Sequence, residues 1–141
     1  MNRLQTEILC TLARFKYCTV GHFMELGLIK DKKHIYSYLK DLRQRKLIAR
    51  KVFGVHLARG RLEDVYFLLI KGERFLLEKL GYEEQIHRPK RNVHFINDYF
   101  HRMACVSFQV HFYKWLIAQK KDLGLYENYY FQKPVQVKLG N

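Results

Sequence analysis

The 32 residues from Lys30 to Arg61 contain eleven lysines and arginines but only two aspartates. Nine of the chain's thirteen net positive charges therefore lie in this one segment. Apolar residues recur within it first at the spacing of a helix and then at the spacing of strands. Such a pattern predicts a segment that packs one side on a core and turns its cations outward, and it excludes a disordered basic tail.

The composition of the whole chain limits the classes of protein that it can be. Its 141 residues are 48% hydrophobic, enough for one ordinary domain or a small domain with an appendage. The positive excess favours a polyanionic partner, nucleic acid first and an anionic membrane surface second. We expect no membrane span, since no apolar run approaches about 18 residues, and no signal peptide. The three cysteines lack metal-like spacing, so we expect a chain of the reducing cytoplasm.

Two helices are predicted before the basic segment. Apolar residues at helical spacing predict the first helix from Leu4 to Phe15. Thr19 is a suitable cap for a short second helix that ends at Gly27. Its inward-facing residues are expected to be Val20, Phe23 and Met24.

A third helix is predicted from Lys32 to Gln44, with Asp31 as its N-cap. Ile35, Leu39 and Leu42, with Tyr38 beside them, form its apolar stripe. At 100° per residue the opposite face contains Lys33, Tyr36, Ser37, Lys40 and Gln44, with Lys32 and Arg43 at its edge.

Two β-prone runs, 47–53 and 65–69, flank a basic loop that contains glycine and predict a hairpin. The tip of this loop holds His56, Arg59, Gly60 and Arg61. A further helix is expected to start at Gly72 and to close at Gly81. Its inward residues are expected to be Phe75, Leu76 and Leu80.

The predicted order of three helices and a hairpin is that of a winged helix-turn-helix. We therefore predict a mainly α fold with a small β-hairpin, in which residues 1–81 form a DNA-binding domain and a long C-terminal helix follows. Residues placed near base edges are Lys33, Tyr36, Ser37, Lys40 and Gln44. Residues expected to hold phosphates are Lys32, Arg43, Arg45, Lys46, Arg50 and Lys51, and the wing adds Arg59 and Arg61.

Residues 82–93 are predicted to be a linker, because they are polar, contain Pro89 and lack periodicity. Residues 94–141 are predicted to form a long helix, capped by Asn97 or Asp98 and running to about 120, followed by a short β-prone tail. The helix has two apolar stripes. One contains Phe100, Ala104, Phe108, Phe112 and Trp115, and the other contains Tyr99, Met103, Val106, Val110, Tyr113 and Ile117. Two stripes imply burial on two sides, so we expect a homodimer or contact with a further domain.

Histidines recur every seven residues at His87, His94 and His101, and Asp98 lies among them. The first two precede the predicted helix, so the period has no single structural meaning, and capping or packing explains these residues better than a metal site. No Ser-His-Asp set, pair of carboxylates or phosphate-binding glycine loop stands out. We therefore predict neither catalytic residues nor a cofactor for this chain.

Four motifs are similar to those of the replication-relaxation family of plasmids and integrative elements, which includes a class of conjugative relaxases. They are Ile8-Leu9-x-x-Leu12-x-x-Phe15, Leu39-x-x-Leu42-x-x-x-x-Leu47-Ile48-x-Arg50, Val65-Tyr66-Phe67-Leu68-Leu69-x-x-Gly72 and His94-x-Ile96-Asn97-Asp98. The resemblance spans about Leu4 to Ile117. It implies a winged-helix part that recognises a mobilisation or replication origin. In such relaxases a nuclease part follows, and its acidic metal-binding residues have no match here.

Three functions are compatible with these features. The first is sequence-specific binding of double-stranded DNA at a plasmid or integrative-element origin. The second is a dimeric winged-helix transcriptional regulator that uses the long helix to dimerise. The third is a fragment of a metal-dependent DNA-nicking relaxase.

Overall fold

A computed structural model describes residues 1–90 and 99–119 of the chain. The helices in this part are α1 (Arg3–Phe15), α2 (Val20–Glu25), α3 (Ile35–Gln44), α4 (Ile70–Glu78) and α5 (Tyr99–Ala118). The strands are β1 (Ile48–Lys51), β2 (Val55–His56), β3 (Gly60–Arg61) and β4 (Val65–Leu68). The fold is mainly helical with a small antiparallel ribbon and a long C-terminal helix, as the sequence predicts.

Helix α1 begins with a reciprocal pair of hydrogen bonds. The side chain of Asn2 accepts from the backbone N–H of Gln5 at 2.8 Å, and the side chain of Gln5 accepts from the N–H of Asn2 at 3.1 Å. This capping box satisfies two donors that a helix start leaves unpaired. The helix then buries Ile8 and Leu12 in the core.

Thr19 caps α2 as predicted. Its hydroxyl accepts from the N–H of His22 at 3.3 Å, and its own N–H donates to Nδ1 of His22 at 3.0 Å. Val20 and Phe23 are buried, whereas Met24, expected to face inward, is only half-buried.

The predicted start of α3 is wrong by three residues. The carboxylate of Asp31 accepts from the N–H of Lys33 at 2.8 Å, which forms a turn before the helix instead of capping it. The helix begins at Ile35, after His34. Its apolar stripe is as predicted, since Ile35, Leu39 and Leu42 are all buried.

The predicted hairpin is a ribbon of two short ladders. Strands β1 and β4 pair antiparallel from Ile48 with Leu68 to Lys51 with Val65. Beyond them, β2 and β3 pair over two residues each and form the ribbon tip, residues 55–61.

Helix α4 begins at Ile70, two residues before the predicted start. Gly72 is buried, and a Cβ added there would lie 2.1 Å from the carbonyl oxygen of Leu47. The glycine therefore permits close packing of α4 on the residue before β1, and it does not start the helix. Leu80, expected to face inward, is exposed, and Gly81 follows the helix with φ of 61°.

Residues 82–90 contain no helix or strand, but they are attached to α1. The N–H of His87 donates to the carbonyl of Ala13 at 2.8 Å, and Arg14 pairs with Glu84 at 2.8 Å. The predicted caps Asn97 and Asp98 and the predicted β-prone tail lie outside the described residues.

Helix α5 packs against the core with one of its two predicted stripes. Tyr99, Met103, Val106 and Val110 are buried, whereas Ile117 of the same stripe is exposed. Polar contacts join α5 to α2. Nε2 of His22 lies 3.0 Å from the Ser107 hydroxyl, and Glu25 pairs with Lys114 at 2.8 Å and with His111 at 3.1 Å. No described helix is both long and apolar enough to cross a membrane.

Candidate nucleic-acid interface

The outer face of α3 is set by the burial of its inner face. Because Ile35, Leu39 and Leu42 pack inward, the residues on the opposite side turn to solvent. Tyr36 keeps 51% of its surface exposed, so its ring and hydroxyl are accessible on this face. The other members of this exposed face are Ser37, Lys40 and Gln44.

The late start of α3 moves two predicted residues off the helix. Lys32 and Lys33 lie in the turn that precedes α3, and both are exposed. They are at the N-terminal end of the helix, where the partial positive charge of the backbone adds to theirs. This end of α3 is therefore a concentrated positive region.

The start of α3 lies beside the ribbon. A cleft of about 220 Å³ is lined by Lys32 and Tyr36 on one side and by Arg61 and Tyr66 on the other. Residues that are 25 to 34 positions apart in the sequence thus border one depression. The cleft places Tyr36, one of the predicted base-contacting residues, next to Arg61, one of the two predicted wing residues.

Two carboxylates, those of Glu63 and Asp64, also line this cleft, and both are engaged by protein groups. The carboxylate of Asp64, only 13% exposed, lies 3.6 Å from the guanidiniums of both Arg50 and Arg61. Glu63 accepts from the N–H of Gly21 at 3.2 Å, in the first turn of α2. These two residues lie just outside the basic segment, so the sequence count of its charge omits them.

The basic residues at the end of α3 differ in accessibility. Arg45 pairs with Asp41 at 3.0 Å, and Asp41 also accepts from the side-chain amide of Gln5 at 2.8 Å. The Gln5 hydrogen bond, together with that from Arg45, lowers the pKa of Asp41, so this carboxyl stays ionised. Arg43 is half-buried, whereas Lys46 is exposed.

Lys46 also has an uncommon backbone conformation, with φ of 62°. Lys46 lies two residues after Gln44, the last residue of α3, and the next N–H, that of Leu47, donates to the carbonyl of Leu42 at 3.1 Å. The tight reversal connects α3 directly to β1. Lys51, predicted to hold phosphate, is half-buried at the end of β1.

The ribbon tip is tied to the start of α5. The guanidinium of Arg59 lies 4.5 Å from the ring centroid of Phe100, and the ring of His56 meets the same ring edge-on at 5.2 Å. Below the tip, the hydroxyl of Tyr99 donates to the carbonyl of Glu63 at 2.9 Å. Sequence reasoning missed these contacts, because nothing local links the loop to residues about forty positions later.

Two apolar side chains project from the ribbon tip, between its basic residues. Leu57 is fully exposed and Val55 keeps 73% of its surface exposed. Exposed apolar groups next to cations are suited to a surface that becomes covered on binding.

The described residues contain no group of three or more His, Cys, Asp or Glu side chains placed to hold a metal ion. His94 and Asp98 lie outside the described part of the chain. Comparisons of the chain with protein-family models, with curated proteins and with solved structures found no match.

Proposed function

We propose that this chain is a sequence-specific double-stranded DNA-binding protein with a winged helix-turn-helix. In this proposal α2 and α3 form the helix-turn-helix, α3 is the recognition helix, and the ribbon of β1 to β4 is the wing. The observation that carries it is the position of α3 beside the ribbon, where Tyr36 and Arg61 border one cleft. One bound DNA duplex can therefore contact both residues.

The dimensions of the elements agree with this proposal. Ten residues of α3 extend about 15 Å, and the major groove of B-DNA, about 12 Å wide, admits one helix. Tyr36, Ser37 and Lys40 lie on the exposed face and would meet base edges. Lys32 and Lys33, in the turn before α3, are better placed for phosphates than for bases, a change from the role expected of Lys33.

Phosphate binding would depend on cations at both ends of α3 and along the ribbon. Lys46 and Arg50 are exposed and would contact the DNA backbone beside the groove. Arg43 and Arg45 would contribute less, since the first is half-buried and the second is paired with Asp41. Arg59 would act from the wing while it rests on Phe100.

The biological setting proposed is an origin of a plasmid or integrative element. Its support is the sequence resemblance to the replication-relaxation family. In that setting the chain docks at the origin for mobilisation or replication. An origin-docking protein of this kind needs one asymmetric DNA site, which footprinting can recognise.

The test is a fluorescence-anisotropy titration of labelled duplexes with wild-type protein and three variants. Tyr36→Ala and Lys40→Ala are expected to change the ranking of duplex sequences, whereas Lys79→Ala, an exposed cation after α4, leaves affinity within about twofold. If about six phosphates are neutralised, the logarithm of affinity falls with the logarithm of salt concentration at a slope of roughly −5. A flat salt dependence, or an equal loss for all three variants, contradicts DNA binding through α3.

A dimeric transcriptional regulator is the second candidate, and the outer face of α5 favours it. Phe108 keeps 61% of its surface exposed and Trp115 keeps 50%, with Phe112 stacked between them. Three large aromatic rings on one helix face form a surface suited to a second copy of the same helix.

Two measurements separate these candidates. Sedimentation of the wild type against a Phe108→Ser/Trp115→Ser variant tests the dimer, because the variant removes two of the three rings of this face and leaves the buried face of α5 intact. A regulator sediments as a dimer and protects two half-sites about 34 Å apart. An origin-docking monomer protects a single asymmetric site.

A further inference from the structure

The turn at the end of the ribbon tip, residues 57–59, is apolar where turns are usually polar. Leu57 and Ala58 occupy positions at which glycine, asparagine, aspartate and serine are favoured. Leu57 is fully exposed, and Val55, two residues before it, keeps 73% of its surface exposed. Neither side chain belongs to the core, so packing within the fold does not explain why they are apolar.

The backbone of this turn is closed by hydrogen bonds to one residue. The N–H of Arg59 donates to the carbonyl of His56 at 3.3 Å, and the N–H of Ala58 donates to Nδ1 of His56 at 3.1 Å. Gly60 follows with φ of 75°, a left-handed conformation that glycine adopts without steric cost. Leu57 is therefore held at a defined position at the end of the ribbon.

The residues on both sides of Leu57 and Ala58 are anchored to α5. The ring of His56 meets the ring of Phe100 edge-on at 5.2 Å, and the guanidinium of Arg59 lies 4.5 Å from the centroid of the same ring. One aromatic ring thus supports both ends of the turn and leaves its apolar residues outermost. A side chain presented by an element that is already ordered can enter a narrow site with little loss of conformational entropy.

The surroundings of Leu57 are basic. Arg59 is exposed, and the side chain of Arg61 keeps 67% of its surface exposed although it lies 3.6 Å from Asp64. Arginines beside one projecting apolar side chain match the minor groove of DNA, where phosphates border a floor of stacked bases. A lipid surface matches less well, because even a whole myristoyl chain gives only marginal membrane binding, and Leu57 and Val55 offer less apolar surface.

The position of Leu57 relative to α3 agrees with this partner. Arg61 borders the same cleft as Tyr36 and pairs with Val55 across the ribbon. Leu57 is two residues beyond Val55, a step of at most about 7 Å. With α3 in the major groove and Arg61 at the phosphates beside it, this step reaches the adjacent minor groove, which is about 6 Å wide.

We propose that Leu57 is an apolar wedge, which enters the minor groove beside the α3 site and inserts between two base pairs. It partly unstacks them and kinks the duplex toward the major groove, while Arg59 and Arg61 contact the flanking phosphates. Because pyrimidine–purine steps unstack most easily, Leu57 adds a preference for TA or CA/TG at a fixed distance from the bases that α3 contacts. This role of Leu57 rests on the proposed function.

The first test is selection of duplexes from a random-sequence pool by the full-length wild type and by Leu57→Ala. The wild type should enrich a motif contacted by α3 and, about five base pairs or half a turn away, a TA or CA/TG step. Leu57→Ala should enrich the same motif without that step. Enrichment of no sequence by either protein overturns the proposed function and the wedge together. Enrichment of the same motif with the same flanking step by both proteins overturns the wedge alone.

The second test measures bending of the selected duplex by energy transfer between dyes at its two ends. The wild type should kink the duplex by about 20° or more, whereas Leu57→Ala should leave it straight and bind it about three- to tenfold more weakly. Leu57→Met should keep the kink, because methionine is also an apolar wedge. Leu77→Ala, at a half-exposed leucine of α4, is the matched control and should change neither bending nor affinity.

Leu57→Lys separates a wedge from a general electrostatic contact. It adds a cation to the tip, so it should bind a random-sequence duplex at least as tightly as the wild type but should not bend the selected one. Undiminished bending by Leu57→Lys overturns the wedge.

Vesicles of phosphatidylcholine and phosphatidylserine test the lipid alternative. Any binding of these vesicles should be the same for the wild type and Leu57→Ala. If the vesicles bind the wild type but not Leu57→Ala, and both proteins bend the duplex equally, the tip serves a lipid surface and the wedge is overturned.

Discussion

The guanidinium of Arg59 lies over the ring of Phe100, 4.5 Å from its centroid. This contact joins the tip of a basic ribbon to the first turn of α5, between residues that are 41 positions apart in the sequence. A residue expected to reach DNA from the wing is thus positioned by a residue of α5. The orientation of the ribbon depends on α5 as well as on its own turn.

Replacing Phe100 with alanine should loosen the ribbon tip. The variant loses the cation–π contact of Arg59, about 0.5–1 kcal/mol at an exposed site, and the edge contact of His56. Hydrogen exchange of amides 55–61 should accelerate, while exchange within α1 stays unchanged. Phe108→Ala, on the outer face of the same helix, is the matched control. Equal protection of the tip in both variants would show that α5 does not hold it.

Gly72→Ala should destabilise the protein strongly, although it adds only one methyl group. The new methyl group would meet the carbonyl oxygen of Leu47 at 2.1 Å, so α4 and the start of β1 must separate. Overpacking of this kind costs about 1–3 kcal/mol or more in the free energy of unfolding. Urea unfolding measures it. Lys71→Ala, the exposed neighbour, should change that free energy by no more than about 0.5 kcal/mol.

His22 should make stability dependent on pH. Burial between α2 and α5 lowers its pKa, with Glu63 and Glu25 opposing that shift and His111 adding to it. The unfolded chain therefore binds this proton more readily than the folded one. The stability contributed by neutral His22 is present above the unfolded pKa of about 6.5 and is lost as pH falls through the lower folded pKa.

The measurement is urea unfolding at neutral pH and at about pH 5.5, compared with His22→Gln. The wild type should lose more unfolding free energy on acidification than the variant. Glutamine keeps a polar side chain opposite Thr19 and Ser107 but does not titrate in this range. Parallel losses in both proteins would assign the acid sensitivity to other groups.

The local parts of the fold could be predicted from the sequence. Apolar spacing predicts α1 and the buried stripe of α3, because other apolar residues lie one helical turn away from Leu12 and from Leu39. The cap of α2 at Thr19 could be predicted as well, because Thr19 and the His22 N–H from which it accepts are only three positions apart. The predicted start of α3 is wrong because the side chain of an aspartate accepts the same type of hydrogen bond in a turn as in a helix cap. The sequence alone does not distinguish the two.

The long-range parts could not be predicted. The sequence predicts a helix start at Gly72, because the neighbour that requires a glycine there, Leu47, is 25 residues away in the sequence. The pairing of Asp64 with Arg50 and the stacking of Arg59 on Phe100 likewise depend on tertiary packing. The local sequence therefore predicts which cations are near the candidate interface, and only the fold shows which of them are already paired.

Asp64→Asn should raise the affinity of the protein for DNA. The carboxylate of Asp64 lies 3.6 Å from both Arg50 and Arg61 and offsets part of their charge. Asparagine keeps the shape and some hydrogen bonding but releases both guanidiniums toward phosphates. Under the proposed function, affinity for all duplexes should increase about two- to tenfold in low salt, and the salt dependence should become steeper by about one unit. Anisotropy titrations at two or more salt concentrations measure both effects.

Glu84→Gln is the matched control, because it removes the carboxylate that pairs with Arg14 in the last turn of α1. It should leave the affinity for DNA nearly unchanged. If Asp64→Asn weakens binding, the carboxylate positions the two arginines productively, and its role is to orient them rather than to offset their charge.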